Sequence, residues 1–304
     1  MVAVIGSLNM DLVAYVDRIP RVGETLTGRR LIEFCGGKGA NQAVAIAKLG
    51  APVNMIGCIG YDDRGLSLLN SLTDNGVNVK YVNQTVDVQT GVALIQVDSC
   101  GENTIVVIPA ANDMLSVESI KKSINAINES AVVVAQLEIP AETVKYAFEV
   151  AKSLGKITIL NPAPADMFDD SLLTNTDILV PNERELESIS GIPVKVDEDV
   201  SIAARILLDK GVRHLIITLG ERGCMHFTGN DVKAYDGRKV IAIDTTAAGD
   251  SFVGTLAAIL SEGKGIVEAI KYAITASALT VTKEGAQIAL PYRAEVDNYL
   301  KNEI

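Results

Sequence analysis

Residues 240–260 read VIAIDTTAAGDSFVGTLAAIL, and the fold class turns on this stretch. Val240–Ile243 is short, apolar and β-branched, which predicts a buried strand. Phe252–Leu260 is apolar for long enough to predict a buried helix. Between them lie the small residues Ala247, Ala248 and Gly249 and one acid, Asp250. A strand that turns into a helix over small residues leaves bare N–H groups at the positive end of the helix dipole, which is an anion site. A carboxylate repels phosphate, so Asp250 calls for another task there. Taking a proton from a nucleophile is the task that suits its chemistry.

Outward from this junction the same alternation recurs. Apolar runs predict core strands at Val2–Ile5, Val53–Ile59, Ala131–Ala135, Ile157–Leu160, Ile178–Val180 and Leu215–Thr218. Helical patterns fall at Ala40–Leu49, Asp63–Asn75, Val117–Ile127, Ala141–Leu154, Glu183–Ser190, Val200–Lys210, Ser251–Ser261 and Ile266–Thr280. Alternation of this kind predicts an α/β fold: a mainly parallel sheet with helices on both faces. Two regions break it. Leu12–Phe34 holds short extended pieces, and Gly91–Ile108 reads as a hairpin turning at Asp98–Gly101. Together they predict a small antiparallel β lid, formed by about residues 12–36 and 88–110, on one domain spanning 1–304; an edge extension of the main sheet is the alternative.

Composition narrows the function. Apolar residues make up 48% with no Trp, so Ala, Val, Ile and Leu must build the core. The formal net charge is −11, with no basic stretch, so no nucleic-acid partner is expected. An anionic substrate would need local positive charge or a metal. Cys35, Cys58, Cys100 and Cys224 have no paired spacing and are expected as free thiols in a reducing compartment. The first residues enter a strand without a basic leader, and no apolar run approaches the roughly 20 residues of a membrane span. A cytoplasmic protein with no membrane partner is expected. His214 and His226 lack Cys or His neighbours at metal-ligand spacing and are expected to be structural or superficial. There is no Gly-x-Ser-x-Gly elbow, no P-loop, and no Gly-x-Gly-x-x-Gly after the first strand, which argues against hydrolase triads and a dinucleotide dehydrogenase.

Several clusters carry chemistry. GGKGANQ at 36–42 opens a helix; its glycines either admit a ligand to the backbone or make a tight turn for helix packing. Lys38 there is a point charge, and Asn41 is both donor and acceptor. GSLNMD at 6–11 follows the first strand. Asn9 and Asp11 lie two apart and face one way in an extended segment, as polyol recognition requires; an Asx turn is the alternative. Glu138 and the PNERE segment at 181–185 stand at strand ends, the ligand edge of an open α/β sheet. Asn182 suits a phosphate contact, and Glu185 suits orienting water on Mg²⁺; an ordinary charged first helical turn explains the segment equally. TLGERG at 218–223 has glycines that would admit a nucleotide.

Together these motifs resemble the ribokinase branch of the PfkB carbohydrate kinase family, in order and over nearly the whole chain. GGKGANQ, GVALI at 91–95, NPAP at 161–164 and AAGD at 247–250 carry the likeness most strongly. The resemblance implies a ribokinase-like fold and ATP-dependent phosphorylation of the ribose 5-hydroxyl. It implies Asp250 as the base, with the backbone N–H groups of Ala247, Ala248, Gly249 and Asp250 as the anion hole. Asn9, Asp11, Gly37, Lys38, Asn41 and Glu138 match sugar contacts. Asn182, Thr218, Gly220, Glu221, Gly223 and Gly249 match positions around ATP, and Asn182 with Glu185 matches a motif tied to Mg²⁺ and phosphate. Asp244, Thr246, Thr280, Lys283, Gly285 and Ala289 match the positions around an activating K⁺; Ala289 departs from a common Ser, and Ile274 from a polar residue near the adenine. A homodimer paired through the lids is implied as well. A kinase for another sugar or a nucleoside, and a non-catalytic sugar or nucleotide sensor, are the alternatives.

Overall fold

The computed structural model describes residues 1–302. In chain order its strands are β1 (Val2–Ile5), β2 (Asn9–Tyr15), β3 (Arg30–Gly36), β4 (Val53–Gly60), β5 (Asn78–Thr85), β6 (Gly91–Val97), β7 (Asn103–Ile108), β8 (Val132–Ala135), β9 (Ile157–Leu160), β10 (Ile178–Leu179), β11 (His214–Thr218), β12 (Cys224–Thr228) and β13 (Asp231–Tyr235). A nine-stranded sheet runs β13-β12-β11-β10-β9-β8-β1-β4-β5. It is parallel from β11 to β5, and β12 and β13 close one edge antiparallel.

The central strand shows why the sheet lies inside. All four residues of β1 are fully buried. Val2 and Val4 join one core with the helices Lys38–Lys48, Ala248–Ser261 and Ile266–Thr280. Ala3 and Ile5 join the opposite core with the helices Ala141–Ser153 and Asp197–Asp209. A strand covered on both faces must be apolar at every position, which is how β1 reads.

The second sheet has the order β3-β2-β6-β7. Its outer pairs are antiparallel, while β2 and β6 pair parallel from Asn9–Gly91 to Tyr15–Val97. Both lid segments are therefore one sheet rather than an extension of the large one. Its outer strand β7 is exposed at all six positions.

Two expectations need correction, and three edge strands were not expected. Val240–Ile243 forms no strand; the large sheet ends at β13, and the chain then runs on without a partner in either sheet. Ile241 and Ile243 are 86% and 68% exposed, while Val240 and Ala242 face a cavity, so the run is apolar without being core. The helix expected over Val117–Ile127 is two short ones, Val117–Lys122 and Ile124–Asn128, broken at Ser123. The edge strands β5, β12 and β13 carry too many polar residues to announce themselves as core strands.

Candidate active site

Two helices bring the site together. Ala248–Ser261 is buried almost continuously and packs on Lys38–Lys48. Gly254 makes the approach possible: a Cβ there would meet Ala45 Cβ at 2.6 Å and the Gln42 carbonyl oxygen at 2.8 Å. Close packing one turn into each helix sets their first turns side by side. Asn41 and Gln42 thus meet Asp250, 209 and 208 residues away in sequence. Asn41 Nδ2 donates to Asp250 Oδ2 and Gln42 Nε2 to Asp250 Oδ1, each at 3.0 Å. Asp250 is only 7% exposed, and burial pushes its carboxyl above the ordinary value against the pull of Lys38, Asn41 and Gln42.

The expected sugar residues gather beyond Lys38. Glu138 Oε2 accepts from Ser7 Oγ at 2.5 Å, from the Lys38 backbone N–H at 3.2 Å and from Asn9 Nδ2 at 3.4 Å. Asn9 Oδ1 accepts from Asn112 Nδ2 at 2.8 Å, and Asn112 also bonds both backbone groups of Leu8. Asp11 lies over Gly36; burial, Glu138 and Asp250 push its carboxyl up to about 7 despite Lys38. Burial alone would lower the Lys38 ammonium, but Asp250, Glu138, Glu185 and Asp11 hold it above its ordinary value. Asn41 Oδ1 is buried and has no donor among the described residues, so a ligand hydroxyl has an acceptor waiting. Gly37, at φ 90°, serves packing: a Cβ there would meet the Asn9 amide nitrogen at 2.6 Å. The glycine-rich turn is thus needed for backbone to meet backbone.

On the other side of Lys38 and Asp250 opens a cavity of about 820 Å³. Asn182, Glu185, Thr218, Gly220, Glu221, Gly223, Ala247, Ala248 and Gly249 line it, as does Ile274. Asn182 bridges to Thr218, so the ends of β10 and β11 set these two together. Asn182 and Glu185 form a capping box: Glu185 N–H donates to Asn182 Oδ1 at 2.8 Å, and the Asn182 backbone N–H donates to Glu185 Oε2 at 2.9 Å. Burial raises the Glu185 carboxyl, with the Asn182 bonds and Lys38 opposing. Gly220 and Gly249 face open space, as close backbone approach requires, whereas a Cβ on Gly223 would collide with Tyr235 and Gly237 backbone. The helix begins at Ala248 after Ala247 in the left-handed region, φ 59°. Ala248 N–H turns back to the Thr245 carbonyl at 3.3 Å.

The expected cation positions converge in part. Asp244 accepts from Thr246 N–H at 2.9 Å and from Gly285 N–H at 2.9 Å, tying the two loops. Asp244 N–H also reaches the Val281 carbonyl at 3.2 Å, beside Thr280. Thr280 Oγ1 turns to Ser251, Lys283 Nζ pairs with Glu295 at 2.8 Å, and Ala289 is fully buried. Both Asp244 carboxylate oxygens are thus already used as acceptors for the two loops.

The sequence reading missed Ser7, Gln42, Asn112, Asn161 and Gly254. Ser7 and Gln42 sat inside motifs already singled out; nothing local marked Asn112. It missed Arg238 and Ser277 of the cavity lining too. The two histidines do have a partner, each other, with Nδ1 of His214 and Nε2 of His226 3.0 Å apart.

An open α/β sheet with an acid at a helix start, between a polar cluster and a cavity, is the architecture of a small-molecule phosphotransferase. The sequence matches the pfkB family carbohydrate kinase profile over residues 1–293, and the chain belongs to that family. It is 41% identical over 299 residues to a ribokinase of Haemophilus influenzae, covering 98% of each chain. It is 38% identical over 300 residues to a deoxyribokinase of Salmonella typhi, again covering 98% of each. Its fold superposes on an Arabidopsis thaliana ribokinase complexed with ribose and ATP with a TM-score of 0.92, at 31% identity, covering 99% of this chain and 98% of that one.

Proposed function

We propose that the protein transfers the γ-phosphoryl group of ATP to the 5-hydroxyl of D-ribose, giving ribose 5-phosphate and ADP. One observation carries this reading: Asp250 is held by Asn41 and Gln42 at the junction between a polyol-suited cluster and a nucleotide-sized cavity. Asp250 accepts the hydroxyl proton as the oxygen attacks phosphorus. N–H groups of Ala247–Asp250 stabilise charge on the transferring group, and Asn9, Asp11, Gly37, Lys38, Asn41 and Glu138 orient the sugar. Asn182, Thr218, Gly220, Glu221, Gly223 and Gly249 receive ATP. The kinship to ribokinases over nearly the whole chain supports the substrate assignment.

Lys38 stands among four carboxylates, Asp11, Glu138, Glu185 and Asp250, so the site's own charge opposes a polyphosphate. That supports a need for Mg²⁺, which would supply countercharge beside Glu185. K⁺ would sit among Asp244, Thr246, Thr280, Lys283, Gly285 and Ala289, where its charge supports the neighbouring anion hole. The unpaired thiols of Cys35, Cys58, Cys100 and Cys224 support a reducing, cytoplasmic setting. The small sheet serves as the lid, and its exposed apolar strand β7, with Leu31 and Leu94, supports pairing with a second copy.

The test is ATP-dependent phosphorylation, with Mg²⁺ and with or without K⁺, across ribose, deoxyribose, hexoses and nucleosides. Ribose should show the highest kcat/KM, because a site built to hydrogen-bond each substrate hydroxyl rejects analogues lacking one. A preference for deoxyribose would move the chain to the other relative's activity. Binding without turnover of any substrate would support a sensor and end the kinase reading.

A further inference from the structure

The polar core behind Asp250 contains more than the base requires. Gln42 is fully buried, and its amide nitrogen donates to Asp250 Oδ1 at 3.0 Å and to Asn161 Oδ1 at 3.3 Å. Its amide oxygen accepts from Gln136 Nε2 at 2.6 Å, and Gln136 is also fully buried. Asn161 in turn donates to the Val180 carbonyl at 3.1 Å. These amides come from the ends of β8 and β9 and from the first turn of the helix Lys38–Lys48, so the carboxylate is braced against the sheet.

The bonding has one allowed direction. An ionised carboxylate only accepts, so Gln42 must turn its NH₂ toward Asp250. Its oxygen then faces Gln136, which must offer NH₂ in return. Reversing either amide sets oxygen against oxygen in a dry interior. Asn41 and Gln42 each fill one lone-pair site on Asp250, and the remaining sites are left for the substrate.

We propose that Gln42, its amide fixed by Gln136, is a positioning residue that turns the Asp250 carboxylate toward the sugar hydroxyl. This rests on Asp250 being the base. Gln42 also donates to the charged form of the acid, alongside Lys38 on the same helix and against Glu138 after β8, with Asp11 of β2 and Glu185 of the helix Glu183–Ser190 also facing it.

The experiment compares the full-length Gln42→Leu, Gln136→Leu and Asp250→Asn variants for kcat, KM for ribose, the pH profile of kcat, and ribose affinity by calorimetry. Losing a charge-assisted hydrogen bond lowers kcat about 10- to 100-fold in Gln42→Leu. The KM for ribose should stay within about threefold, and the acid limb of the profile should move to higher pH. Gln136→Leu retains the Gln42 side chain but frees its amide, so it should move the acid limb the same way by less and lower kcat less, and it carries the test if Gln42→Leu does not fold. Wild-type kcat and an unmoved acid limb in a folded Gln42→Leu, with Asp250→Asn inactive, overturn the positioning role alone. Weakened ribose binding with an unmoved limb assigns Gln42 a structural role and overturns it too. Turnover retained in Asp250→Asn overturns the base assignment itself.

Discussion

The two halves of the site are built differently. In the half expected to take the sugar, several side chains already hold one another: Glu138 accepts from three donors through one oxygen, Asn9 is bonded through both amide atoms, and Gln42 through both of its own, while Asn41 Oδ1 still has no donor among the described residues. On the nucleotide side lies a cavity of about 820 Å³ edged by glycine backbone and by Val240 and Ala242 of a segment outside both sheets. A small polyol offers few contacts, so its site must hold side chains ready before it arrives. A nucleotide brings a large surface and is suited by backbone and apolar walls. On the proposed function, the packed half sets orientation and chemistry, and the open half admits and releases.

The most severe test of this contrast is Asp250→Asn. Removing the base should lower kcat by about 10²–10⁴ while ribose still binds measurably. Near-wild-type turnover, measured by coupled assay, would mean that the packed half does not carry the chemistry.

Next in size is Asn112→Leu. Asn112 sits just past β7, where the chain leaves the small sheet, and joins that crossing to Leu8 and Asn9 at another. Leaving buried partners unsatisfied costs about 1–3 kcal/mol, so the KM for ribose should rise roughly 5- to 150-fold. The KM for ATP should not follow. A parallel rise in both would show that the halves are one structure energetically.

Asp11→Asn gives a pH signature. The folded-state carboxyl sits at about 7, above its ordinary 3.8, because burial, then Glu138 and Asp250, disfavour its charge. A raised acid favours the fold most below the unfolded value, and that stability fades as pH rises from about 4 through 7. Asn carries no such penalty. The variant should therefore gain Tm relative to the parent at pH 8 and not at pH 4, while binding ribose more weakly at pH 8. An equal Tm difference at both pH values would contradict the buried-charge account.

The same contrast governs what the sequence disclosed. The packed half was legible because its chemistry lies in side chains at short spacings: Asn9 with Asp11, Lys38 with Asn41, and Asp250 among small residues. Its bracing was not, since Asn112 and Gln136 act across long separations, and Gly254 shows its purpose only when Ala45 lies against it. The open half misled in an instructive way. Val240–Ile243 has the composition of a buried strand, yet alternates between cavity and solvent. Apolarity reports a dry neighbour without saying whether that neighbour is protein or ligand. The helix begins at Ala248, three residues before the expected Ser251 but still within the AAGD motif, so the anion-site reading did not depend on the strand.

The smallest expected effect lies at the seam of the halves. Ala247 holds φ 59°, a left-handed conformation that costs an L-residue with a Cβ about 1–2 kcal/mol. Gly adopts it freely but gives up about 0.5–1 kcal/mol of chain entropy on folding. The two terms largely cancel, so Ala247→Gly should change stability by less than about 1 kcal/mol in denaturant melts. Its effect should appear in rate instead. The methyl group restricts the turn that leads into the first helical residues lining the cavity, and a looser turn presents their N–H groups over a wider range of angles. Donors must lie where charge develops at the moment of transfer, so kcat should fall a few-fold while the KM for ribose stays put. A stabilised variant with undiminished kcat would mean that the strained turn serves the packing of the helix start, and that the aim of its donors is fixed by the surrounding loops alone.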